Sequence, residues 1–196
     1  MVYRIFVEKK DGLAHEADAL LNELTNLVGI KNLKSVRILN RYDAERIEES
    51  VFNQSISTVF SEPQLDIATE NPEYNGDKVF AVEYLPGQFD QRADSAAQCI
   101  QIASLGERPI IRSAKVYVLG GDLTDKDVEE IKKYVINPVE SREASLEEYK
   151  TQKRGGRGVT GHKPKEEDFV DNMFVTSTHD DILFFTDKGK VYINAR

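Results

Sequence analysis

The 196-residue chain carries one cysteine, two methionines, three histidines and no tryptophan. A single thiol, Cys99, excludes an intrachain disulfide and fits a reducing, cytoplasmic location. His15, His162 and His179 stand far apart with no cysteine beside them, so no metal site is expected. No apolar run approaches the ~20 residues that a membrane-spanning helix needs, and the N-terminus lacks the apolar stretch of a secretion signal. No membrane partner is therefore expected. No Gly-x-x-x-x-Gly-Lys phosphate loop occurs either. Cys99 falls among Ala96, Ala97 and Ile100 in a helical pattern, without the glycine-flanked turn that exposes a nucleophilic thiol. It is expected to be a buried structural cysteine, and no catalytic residue is assigned.

What is present fits a globular protein: 40% hydrophobic and 31% charged residues. The net charge of −8 is unevenly divided. Residues 148–196 hold nine Lys/Arg against eight Asp/Glu, which leaves 17 against 26 for residues 1–147, a net of −9. Lys150 to Lys165 contain six basic residues and no acidic one. Two units with different partners are expected, 1–147 and 148–196, meeting at Ser145-Leu146-Glu147.

In the first unit, Val2–Val7 alternates as a strand, and Leu13, Ala17, Leu20, Leu21, Leu24 and Val28 recur at helical spacing up to Gly29. A strand around Ser35–Leu39 follows, then a short helix candidate from Asp43 to Val51 and a connection from Glu62 to Gly76. The outline repeats with a strand at Val79–Tyr84, a helix at Gln91–Ser104 and a strand at Ala114–Leu119. A last helix opens at Thr124 with Asp127 as a partial capping box. Two βαβ units in succession predict an α+β fold, a ferredoxin-like βαβ-βαβ sandwich with helices on one face of the sheet. Its predicted core includes Ile5, Val7, Leu20, Leu24, Val82, Val116, Val118 and Ile131. An unpaired sheet edge in such a unit also allows a homodimer.

Pro86-Gly87 ends a strand, and Asp90, Gln91, Arg92, Asp94 and Ser95 fill the first turns of the next helix. Backbone donors there can hold an anion, and Arg92 can grip a phosphate or carboxylate, with Asp94 and Ser95 beside it. The plainer alternative is that Asp90 caps the helix and Arg92 pairs with Asp94 or Glu83 on the surface.

Arg4 to Lys10, Leu39 to Asp43, Phe60 to Gln64, Pro86 to Cys99 and Lys133 to Glu143 together resemble the N-terminal domain of large single-chain phosphoribosylformylglycinamidine synthases. The resemblance implies a role in de novo purine biosynthesis beside synthetase and glutaminase domains or subunits. Those domains have no counterpart here. The implied protein is a truncated, ligase-like accessory or docking module, without cofactors of its own. ATP and magnesium are implied only for the full-length family enzyme.

The second unit places Lys153, Arg154 and Arg157 among glycines in Gln152–Gly158, a pattern that neutralises phosphates without reading sequence. Phe174–Thr178, Ile182–Thr186 and Lys190–Ile193 read as a short antiparallel meander. Leu146–Lys150, the glycine-rich box, Lys165–Phe169 and Thr178–Tyr192 resemble the start of the C-terminal domain of gyrase A, the DNA-wrapping component of DNA gyrase. That likeness implies an incomplete propeller blade, with Lys153, Arg154, Arg157, Lys163 and Lys165 as DNA contacts. A non-enzymatic DNA-binding protein is the alternative reading, and a vestigial or artefactual fusion is a third.

Overall fold

A computed structural model describes residues 2–75 and 77–146, together with the backbone of 182–185 and 191–194. The chain forms two compact units, Met1–Lys150 and Thr151–Arg196. The first contains β1 (Val2–Lys9), α1 (His15–Glu23), β2 (Leu33–Glu45), α2 (Glu49–Ser55), β3 (Asp66–Thr69) and β4 (Lys78–Tyr84). These are followed by α3 (Gln91–Ser104), β5 (Ile110–Gly121), α4 (Asp125–Val135) and β6 (Ser141–Ala144). Both α1 and α2 end in a wider five-residue π turn, Leu24–Val28 and Ile56–Phe60. Gly29, with φ 88°, closes the first of these in the left-handed conformation that glycine adopts without strain.

All six strands pair antiparallel in the order β3-β1-β2-β5-β4-β6. The mixed α and β composition is as expected, but the ferredoxin-like arrangement is not. In a split βαβ, the helix returns the chain to a parallel strand one place away. Here β1 and β2 are antiparallel neighbours, and so are β4 and β5. The reason lies in strand length. β1 pairs only with Leu39–Glu45 of β2, while α1 and its π turn pack beside Leu33 and Val36 on the other half. The chain therefore enters β2 beyond the end of β1 and runs back past it.

The helices lie on one face of the sheet and form two clusters. One joins Ala93, Ala96, Ala97 and Ile100 of α3 to Ile5, Val7, Tyr42, Ala44 and Phe52. The other joins Ala17 and Leu24 to Val36, Phe80, Tyr117, Leu119 and Ile131. Ile5, Val7, Leu24 and Ile131 are buried as expected, and Leu20 and Val82 are partly buried. Val116 and Val118 are also buried, but on the opposite face, with Phe6, Leu39, Ala81 and Ala144. The sheet thus carries apolar material on both sides.

Two differences in the elements follow from local chemistry. The stretch from Asp43 continues β2 to Glu45 rather than starting a helix, because Asp43 is paired with Arg4 across the strands. β3 lies inside the segment expected to be only a connection. In the second unit, β7 (Ile182–Phe185) and β8 (Val191–Asn194) form an antiparallel pair, with Leu183 opposite Ile193. The expected first strand of the meander, Phe174–Thr178, lies outside the described residues.

Candidate functional site

β2 and β5 are the long central strands, and their register brings Asn40 opposite Lys115 and Tyr42 opposite Ser113. All four lie on the helix-bearing face, where the alternation Val36, Ile38 and Ala44 would otherwise call for apolar residues. Above them a cleft of about 680 Å³ opens between the two clusters. Arg92 and Ser95 of α3, Asn40, Tyr42, Lys115 and Tyr117 are among the residues that line it.

The start of α3 fixes one wall. Asp90 accepts from the Ala93 backbone N–H at 2.9 Å, capping the helix, and also accepts from the Ser113 backbone N–H at 3.0 Å. The Ser113 hydroxyl adds a further bond to the same carboxylate at 2.9 Å. This clamp sets the helix on β5 and aims Arg92 at β2, where its guanidinium donates to Tyr42 Oη at 3.2 Å. Burial works against the Arg92 charge, yet the bond to Tyr42 and the field of Glu16 and Asp90 outweigh it and hold its pKa above the ordinary arginine value. Lys115 pairs with Glu16 of α1. Burial, reinforced by Glu16, pushes the Tyr117 hydroxyl up to about 12, so it stays protonated.

The three residues expected to act together are divided. Arg92 and Ser95 share the cleft, whereas Asp94 ion-pairs with Arg108 at 2.5 Å outside it. Asp90 caps the helix as expected, but Arg92 bonds to Tyr42 rather than to Asp94 or Glu83. Glu83 is held by Arg142 at 2.8 Å. Cys99 is exposed and forms part of the cleft wall, contrary to the expectation of a buried thiol. The inward positions of α3 are Ala93, Ala96, Ala97 and Ile100, and Cys99 falls outside that stripe. Asn40 lies in the Leu39–Asp43 stretch but has no site role there, and Ser113 and Lys115 belong to no motif singled out in the sequence. Polar residues at inward positions of two otherwise apolar strands are the signal that could find them.

Among the described residues, no group of three or more His, Cys, Asp and Glu could hold a metal ion. No described helix is long and apolar enough to cross a membrane. Lys153, Arg154, Arg157, Lys163 and Lys165 lie outside the described residues.

A family model described as the DNA gyrase C-terminal domain, β-propeller, matches residues 144–177 and 180–193. The chain is similar to the gyrase A protein of Clostridium acetobutylicum, 61% identical over 44 residues, which are 22% of this chain and 5% of that protein. It is also similar to the gyrase A protein of Mycobacterium leprae, 39% identical over 84 residues, 41% of this chain and 7% of that protein. The gyrase A protein of Streptomyces coelicolor is 40% identical over 84 residues, 41% of this chain and 10% of that protein. The chain thus spans a small fraction of the length of these relatives.

These matches correct the purine-synthesis reading. They point to gyrase A, and neither the family model nor these relatives support a synthase. The 41% of this chain in the longer matches also exceeds the 49 residues that follow Glu147, so the gyrase likeness takes in part of the first unit. The ligase character and the synthetase or glutaminase partners fall with that reading. The C-terminal part of the chain resembles the gyrase A C-terminal domain.

Proposed function

We propose that the chain is a non-enzymatic DNA-binding protein acting through its gyrase-like segment, in the cytoplasm. The observation that carries this reading is the family match over residues 144–177 and 180–193, which includes the glycine-rich basic box. The chemistry of the box agrees. Glycines allow close backbone approach to a polyanion, and Lys153, Arg154, Arg157, Lys163 and Lys165 supply cations that neutralise phosphates. Binding of this kind is sequence-tolerant and driven by counterion release. Counterion release makes affinity fall steeply with salt, while the net charge of −9 on residues 1–147 opposes binding.

Gel-shift titration of the full chain on duplex DNA tests the proposal. Neutralising about five phosphates predicts roughly a 500-fold loss of affinity between 50 and 200 mM salt. Replacing Arg154 and Arg157 by Ala should weaken binding at low salt and reduce the slope of log K against log salt by about two. Unchanged affinity in the double variant, or no shift at 50 mM salt, would overturn it.

A further inference from the structure

The cleft of the first unit has a feature that packing does not explain. Asn40 lines the cleft, and its Oδ1 is buried with no hydrogen-bond partner. Leaving a buried acceptor without a donor forfeits its hydration for no return, so such a group calls for an explanation. Two strand positions away, Tyr42 accepts from Arg92 through one guanidinium nitrogen. The rest of that planar fork is suited to gripping a carboxylate or phosphate. The residue that carries the orphan acceptor and the one that carries the cationic fork therefore line one opening. The volume of about 680 Å³ lies within the range of small-molecule sites.

We propose that this cleft binds a small organic anion that also carries a hydrogen-bond donor, with the anionic group at Arg92 and the donor at the Asn40 amide, which turns its Oδ1 into the cleft to accept. The ligand class follows from the two groups: a carboxylate or phosphate compound bearing a hydroxyl or amine. The site is separate from the proposed DNA contacts, which all lie beyond residue 147, so either can hold without the other. Cys99 in the wall supplies a built-in reporter, since it is exposed and is the chain's sole thiol.

Calorimetry on the full chain tests this with two probe pairs. Glycerol 3-phosphate and glycolate carry both groups, while methyl phosphate and acetate carry the anion without the alcohol donor. Saturable binding of at least one donor-bearing probe is expected, about fivefold or more tighter than its partner, together with slower alkylation of Cys99 by iodoacetamide. Which pair responds tells phosphate from carboxylate. Arg92→Gln should weaken binding about tenfold, the loss of one charge-assisted bond. Asn40→Ala should abolish the preference for the donor-bearing probe. Arg108→Gln, outside the cleft, controls for nonspecific charge effects and should change nothing. No saturation by any of the four probes, or equal affinity in Arg92→Gln, would overturn the proposal.

Discussion

Single residues set limits that the fold must respect, and Gly121 is the sharpest. It ends β5 at φ 139°, and a Cβ placed there would sit 2.1 Å from the carbonyl oxygen of Asn32. That oxygen belongs to the backbone entering β2, so the neighbour can yield only by shifting the central strand pair. Gly121→Ala should therefore cost about 1–3 kcal/mol from crowding alone, with backbone strain added. Urea denaturation checks it, and a loss below about 0.5 kcal/mol would mean that the two chain segments are not tightly apposed. Residues that act locally are legible in the sequence. The Asp90 cap and the box in which Thr124 and Asp127 bond each other's backbone N–H both stand there as a polar residue ahead of a helical pattern. Arg92 and Tyr42 meet across 50 positions of sequence. Only the register of the strands makes that contact.

Elements are held by a buried polar network on the face opposite the helices. Arg41 and Asp43 of β2 are both nearly inaccessible, at 4% and 3% exposure. Arg4 of β1 reaches Asp43 through its Nε at 2.5 Å and the Leu146 carbonyl through a second nitrogen at 2.8 Å. Arg41 donates to the Ser145 carbonyl at 2.7 Å, and its Nε lies 3.2 Å from Asp43 without the alignment of a hydrogen bond. Burial, with the Arg4 charge behind it, lowers the Arg41 pKa against the pull of Asp43. Removing the carboxylate strands two cations, one of them deeply buried, so Asp43→Ala should destabilise by about 3–5 kcal/mol. Replacing Arg41 and Asp43 together by Met and Leu should cost less, since the deepest charge leaves with its partner. A double variant as unstable as Asp43→Ala would show that the network serves packing rather than charge balance. Helices α3 and α4 are readable from spacing and caps, whereas β6 is not. Its residues, Ser-Arg-Glu-Ala, have no strand pattern of their own and are held by pairing with β4 and by the bond from Arg142 to Glu83.

At the scale of the molecule, the chain passes from one unit to the other shortly after β6. The first unit extends to Lys150, while the family match begins at residue 144, the last residue of β6. The expected boundary at Glu147 falls between the two. Charge asymmetry and the glycine-rich box are what suggest a boundary there, because composition changes without needing any long-range contact. The antiparallel order of the sheet leaves no such trace, since strand neighbours depend on where each helix re-enters. If Met1–Lys150 is an independent unit, its sheet, clusters and polar network are complete without the residues that follow. Chain boundaries between units expose backbone to proteases, and the basic box supplies trypsin sites at Lys153, Arg154 and Arg157. Limited trypsin digestion should therefore cut first around Lys153–Arg157 and leave an N-terminal fragment of about 150 residues, the size of an ordinary domain. That fragment should keep the cooperative unfolding of the full chain, because Arg4 and Arg41 still hold residues 145 and 146. Early cuts within residues 1–140, read by mass spectrometry, would show that the first unit does not stand alone.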